Sequence, residues 1–241
     1  MAGDIDDAKI LGAWERAAGL VRPWRELELL GAMTETPTDA LAGLPLGERN
    51  RRFLDLRRRI FGDVVDCEAT CPACEARLEL SVDAAEVTTP ARTVTLEELR
   101  LAADGWTVVF RLPNSADMAA ALGTDDPASV IIRRCVVEST GPDGPVAAAE
   151  LPVGWRERLA DRMATLDDGA ELGLELTCAA CGHSWAASVD PAAVVFDEVA
   201  THAARLMGEV DALARAYGWR EPDILALGPL RRRQYLEFVG G

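Results

Sequence analysis

CPACEARLELSVD (residues 71–83) aligns without a gap on CAACGHSWAASVD (residues 178–190). Both segments open on C-x-x-C and close on Ser-Val-Asp, Ser81 to Asp83 in one and Ser188 to Asp190 in the other. In the first, Leu78, Leu80 and Val82 alternate with polar residues, the pattern of a half-buried strand. Each unit therefore reads as a turn holding two thiols, followed by a strand. Two such knuckles facing each other supply four thiolates, the donor set zinc takes in closed tetrahedral structural sites. The expected ligands are Cys71, Cys74, Cys178 and Cys181, around one structural zinc ion. The pairs need only meet in space, so residues 75–177 must fold as a unit between the two halves.

A redox C-x-x-C pair or buried free thiols are the other readings of these cysteines. A redox C-x-x-C wants a helix N-terminus to stabilise its thiolate, whereas here each pair precedes a strand. Cys67 and His183 are substitute ligands by proximity, but the repeat has no counterpart for either; it sets Ala76 opposite His183. Cys135, within IIRRCVV, reads as a small buried hydrophobe. Four thiolates leave no open position for an activated water, so the metal is expected to be structural and the chain not to be an enzyme. The two histidines, His183 and His202, fall in no nucleophile or metalloprotease motif, and no phosphate-binding glycine loop or nucleophile elbow occurs. Acid pairs such as Asp167/Asp168 receive no catalytic role.

Working outward, the first sixty residues read as helices. Ile10, Trp14, Ala17 and Val21 recur at helical spacing, Pro23 suits a first helical position, and a helix from Leu46 to Phe61 ends at Gly62. Strands are expected at Thr93–Leu96 and Trp106–Leu112, with Asp104-Gly105 as a turn. Ser115 should cap a short helix through Leu122, and further helices should start at Asp126-Pro127 (through Val137) and at Pro152 (through Ala164). Leu172–Thr177 alternates again into Cys178. Phe196, Val199, Ala203, Leu206, Val210, Leu213 and Tyr217 then form a heptad seam that Gly218 ends, followed by short helices at Pro222 and Leu230–Val239. The seam suits the protein's own core or a partner's surface. The fold class expected is α+β: a helical segment 1–62, a zinc-knuckle core 63–195 with a strand–helix insert at about 91–170, and C-terminal helices 196–241.

The net charge of −15 disfavours nucleic acid, whose binders need a basic surface. Arginines crowd the 46–61 helix and Arg231–Arg233, and read first as a solvated face pairing with the chain's own carboxylates. No stretch is long and apolar enough for a bilayer, and the acidic start MAGDIDDAK lacks a secretory pattern, so a cytoplasmic protein without membrane contact is expected.

RRRIFGDVVDCEATCPACEARLELSVD, CAACGHSWAASVDPAAVVFDEV and ALARAYGWREPDILALGPLRRRQYLEFV together resemble a family of baseplate hub or hub-assembly proteins. The family is that of T-even contractile phage tails and extracellular contractile injection systems. The resemblance spans most of the chain and is weakest over residues 120–150. It implies a part in building the baseplate of a contractile particle, with other baseplate or hub subunits as partners. A zinc-ribbon module that binds nucleic acid or regulates is the alternative. One departure bears on geometry: Glu75 stands in the first knuckle where the second has Gly182, and glycine eases a tight turn.

Overall fold

In the computed structural model, which describes residues 6–87 and 93–240, the fold is α+β. The elements run α1 (Asp7–Ala18), α2 (Trp24–Thr34), α3 (Thr38–Ala42), α4 (Leu46–Phe61), β1 (Val64–Thr70), β2 (Arg77–Asp83) and α5 (Ala84–Val87). There follow β3 (Arg100–Ala103), β4 (Trp106–Phe110), α6 (Ser115–Ala121), α7 (Pro127–Cys135), β5 (Val136–Gly141), β6 (Gly144–Pro145) and a 3-10 turn at Ala148–Glu150. The chain closes with α8 (Val153–Leu166), β7 (Leu172–Thr177), β8 (Ser184–Val189), α9 (Pro191–Tyr217), α10 (Glu221–Leu225) and α11 (Pro229–Gly240). Two compact units result: one from the described residues up to Thr38 together with those from Ala192 onward, the other from Asp39–Pro191.

The first unit is helical. α1 buries Ile10, Ala13 and Ala17, and α2 buries Leu27, Leu29, Leu30 and Met33. From the heptad seam of α9, Phe196, Val199, Ala203, Leu206 and Leu213 are buried, while Tyr217 is exposed. The seam thus packs into its own unit and surfaces only at its C-terminal end. Arg232 of α11 is buried between two carboxylates: it bonds Asp7 and Glu209, the latter at 2.6 Å. Burial opposes ionisation of Asp7, but the bonds from Arg232 and His202 outweigh it and hold its carboxyl below the ordinary value.

In the second unit, β3-β4-β5-β6 form an antiparallel sheet whose core is Val108, Phe110, Ile132, Cys135, Leu151, Trp155, Leu159, Met163 and Leu166. Asp104-Gly105 makes the expected β3–β4 turn, with φ 51° and 77°. Three local expectations are corrected. Thr93–Leu96 is not a strand: Glu98 accepts from the Thr95 N–H and hydroxyl while the Thr95 hydroxyl accepts from Glu98 N–H, a reciprocal cap that turns the chain. The helix near Ser115 is capped one residue earlier, by Asn114 with Asp117. The helix expected to reach Val137 stops at Cys135, and Val136 starts β5 instead, because β4 offers an edge to pair with.

Two further sheets are simple hairpins, β1–β2 and β7–β8. Along all four strands exposed residues alternate with half-buried ones, and none is fully buried. Val65, Cys67, Ala69, Leu78, Leu80 and Val82 make the apolar face of one hairpin. Leu172, Leu174, Leu176, Trp185, Ala187 and Val189 make that of the other. A lone two-stranded hairpin is marginal in water, so both depend on what their ends are fastened to.

α4 fastens both. At its C-terminal end Gly62 (φ 89°) turns the chain straight into β1, and the Arg57 guanidinium donates to the Gly62 carbonyl at 2.6 Å. Near its N-terminal end the Asn50 amide donates to the carbonyls of Gly169 and Ala170, at 2.9 and 3.1 Å, just before β7. Both carboxylate oxygens of Asp167 accept from Gly47 N–H at 3.1 Å, a cap supplied from 120 residues away, and Arg49 pairs with Asp190 just after β8.

Candidate metal centre

Each knuckle is the tip of a hairpin, closed by the same two backbone bonds. Cys71 N–H donates to the Ala76 carbonyl and Glu75 N–H to the Cys71 carbonyl, both at 2.9 Å. Cys178 N–H donates to the His183 carbonyl at 2.9 Å and Gly182 N–H to the Cys178 carbonyl at 2.8 Å. The residue after the second cysteine is left-handed in both, Glu75 at φ 61° and Gly182 at φ 74°. Glu75 therefore adopts the backbone of its glycine counterpart, and the departure in sequence does not alter the turn.

The four thiols come together, their sulfur atoms all within 4.8 Å of one another. The contact is crossed: Cys71 Sγ lies 3.7 Å from Cys181 Sγ, and Cys74 Sγ 3.6 Å from Cys178 Sγ. The first cysteine of each pair is buried and the second exposed, so the two knuckles are related by a local approximate two-fold. All four are free thiols. A tetrahedron of sulfurs at a metal–sulfur distance of about 2.3 Å has edges of about 3.8 Å, and the two measured edges match it. The donor set therefore fits one metal ion that accepts four thiolates.

Among the described residues, Cys67 and His183 are not in this group. Cys67 sits half-buried in β1 opposite Leu80, and the His183 ring stacks on Trp185 at 6.1 Å while its carbonyl closes the turn. Cys135 is buried in the sheet core; burial, with the neighbouring Asp117 carboxylate, pushes its thiol up to about 12, which leaves it inert. Within the metal-free cluster the Cys181 backbone amide, then that of Ala180, pulls Cys178 down to about 7 against desolvation. The Ala76 amide pulls Cys74 down as well, but the Cys181 and Cys178 thiols and burial push it up to about 12.

The family described as "T4 bacteriophage base plate protein" matches residues 27–190. This chain belongs to that family. No curated protein and no solved structure matches it. The region shared with the base plate family begins in α2 and ends at Asp190, one residue past β8, so it holds α4, both knuckles and the whole insert between them. α9 and the helices after it lie beyond that region. A base plate protein of this kind has a structural part in a phage tail. Among the described residues no helix is long and apolar enough to cross a membrane.

What sequence reasoning missed is the clamp. Asn50, Gly47 and Asp167 bring the second knuckle to the first, yet nothing in their local spacing marks them. Gly47 is the nearest to a signal: a Cβ there would lie 2.1 Å from Asp167 Oδ1, so a helical glycine near an N-terminus marks a close approach.

Proposed function

We propose that this protein is a non-catalytic, zinc-stapled structural or assembly (chaperone-like) component of the baseplate of a contractile phage-tail-like particle, working with other baseplate or hub subunits in the cytoplasm where such particles are built. The observation that carries the reading is that the family match encloses both halves of the four-cysteine cluster. Cys71, Cys74, Cys178 and Cys181 would hold one zinc ion, whose chemistry here is to cross-link two hairpins that own no buried core. Zinc is favoured over a redox-active metal because a closed thiolate site in a scaffold calls for no electron transfer.

The nucleic-acid alternative needs free arginines converging on one face. The arginines of α4 are mostly committed elsewhere: Arg51 and Arg52 pair with Glu48, Arg58 with Asp63, Arg49 with Asn50 and Asp190, and Arg57 is buried against Gly62. Mass spectrometry of purified sheathed particles, alongside electron microscopy of a deletion strain, tests the proposal. Fixed stoichiometry in the particle marks a structural subunit, and loss of particles with the protein absent from wild-type ones marks an assembly factor. Normal particles without it, and none of it inside them, would refute both.

A further inference from the structure

The four sulfurs of the cluster are not equally reachable. Cys71 and Cys178 are 0% and 1% exposed, whereas Cys74 and Cys181 are open to solvent. Each knuckle therefore keeps its first sulfur inside and offers its second outward. Thiolate reactivity follows access, so a dissolved oxidant meets Cys74 or Cys181 first. Beside each of these lies a buried sulfur of the opposite hairpin. Cys178 Sγ is 3.6 Å from Cys74 Sγ, and Cys71 Sγ is 3.7 Å from Cys181 Sγ. All four are free thiols, and among the described residues Cys67 and Cys135 stand outside the group.

An accessible sulfur with a second sulfur at hand to resolve it is the arrangement of a reversible oxidation site. Which sulfurs join decides what the product can do. A bond within one knuckle, between Cys71 and Cys74 or between Cys178 and Cys181, leaves two separate hairpins, and no residue of their strands is fully buried. A crossed bond ties the hairpins together over 110 or 104 residues of sequence, as a shared metal ion would. Closing a crossed contact to a bond of about 2.05 Å draws its sulfurs together by about 1.6 Å.

We propose that hydrogen peroxide converts the cluster from a metal joint into a disulfide joint, bonding Cys74 with Cys178 and Cys181 with Cys71. The exposed thiolate attacks one peroxide oxygen, the O–O bond breaks, and a sulfenic acid and a hydroxide result. The buried thiolate across from it then attacks the sulfenic sulfur, forms the S–S bond and expels a second hydroxide. Each crossed pair thus gives two electrons to one peroxide, which balances the step. Disulfide sulfurs are not the thiolates that a metal takes as ligands, so the donor set is lost while the link between the hairpins is kept. The release of a metal rests on the zinc reading above; the crossed pairing rests on the positions of the sulfurs alone.

The test uses the full-length protein as purified under reducing conditions. Hydrogen peroxide is added in steps, released zinc is followed with a chromogenic chelator, and peptides are mapped by mass spectrometry without reduction. Zinc release should run in parallel with loss of the cluster thiols, at about two peroxides consumed per zinc. The map should join Cys74 to Cys178 and Cys71 to Cys181. Dimedone, which traps sulfenic acid, should mark Cys74 and Cys181 ahead of Cys71 and Cys178. The oxidised, zinc-free chain should keep amide protection in β1, β2, β7 and β8, and lose it once a reductant and a chelator are added together. Disulfides within a knuckle overturn the proposal, as do sulfenic acid formed first at the buried sulfurs and hairpins that lose protection on oxidation. If the protein carries no zinc yet oxidises to the crossed pairs, the zinc reading falls and the disulfide joint stands. If zinc is bound and peroxide yields disulfides within the knuckles, the reverse holds.

Discussion

The first hairpin grows directly out of α4, whereas the second is pinned to the same helix by side chains about 120 residues away in sequence. Their outward faces differ too: Asp66, Glu68, Glu79 and Asp83 line the first, while the second shows Gly173, Ser184, Ala186 and Ser188 with Glu175 as its one comparable charge. Yet the tips agree in both backbone bonds, in which cysteine is buried, and in the left-handed residue that closes the turn. What the two share is what four sulfurs need in order to meet. What they do not share is how each hairpin is carried and what its far side faces.

The largest effect should come from breaking the shared part. Cys71→Ser and Cys178→Ser each remove a buried sulfur from opposite hairpins, and both should lose the ion. With structural zinc worth on the order of 10 kcal/mol, either variant should forfeit cooperative unfolding of the second unit. If one ion serves both halves, as proposed, the double variant should be no worse than either single one. Elemental analysis and calorimetry check this: about one zinc per chain in the parent, none in the variants, and the same collapse when a strong chelator strips the parent. Clear additivity would mean that the hairpins are stabilised independently.

A smaller effect should separate the hairpins. Asn50→Ala leaves the carbonyls of Gly169 and Ala170 without their donor, at a cost of about 1–3 kcal/mol. Gly47→Ala drives a methyl into the Asp167 carboxylate and should cost a similar amount, about 1–3 kcal/mol. Hydrogen exchange should then rise in β7 and β8 before β1 and β2, since the first hairpin keeps its covalent link to α4. Equal loosening of both hairpins would show that the metal, not α4, sets their mutual position.

These two experiments also mark where the sequence was readable. The cysteine pairs were, because C-x-x-C repeated with the same closing triplet admits few readings other than two knuckles. The long apolar seam of α9 and the Gly62 stop of α4 were legible for the same reason: periodicity and backbone freedom act locally. β1 was not singled out, since Val64–Thr70 mixes acids into its alternation. Arg100–Ala103 is too short to show a period, and Val136 follows Cys135 with no breaker between helix and strand. Those elements form because a neighbouring strand pairs with them, and the Asn50 clamp forms because the insert returns there. Such contacts are properties of the closed chain.

The finest distinction between the knuckles is one backbone angle. Glu75 holds φ 61° where Gly182 holds 74°, and a side chain in that region costs roughly 1–2 kcal/mol. Glycine gives back about 0.5–1 kcal/mol of this through the entropy of the unfolded chain. Glu75→Gly should therefore stabilise the protein by about 0.5–1 kcal/mol, and Gly182→Ala should destabilise it by a like amount. The second substitution isolates the backbone, because a Cβ at Gly182 would meet no atom within 4 Å. Denaturant midpoints measured with the metal bound would resolve both changes. Opposite signs of similar size would make the two tips interchangeable, each charging the same strain to whichever side chain sits there. If Glu75→Gly has no effect while Gly182→Ala does, Glu75 gains from a contact of its own that offsets its strain, and the approximate two-fold at the metal stops at the sulfurs.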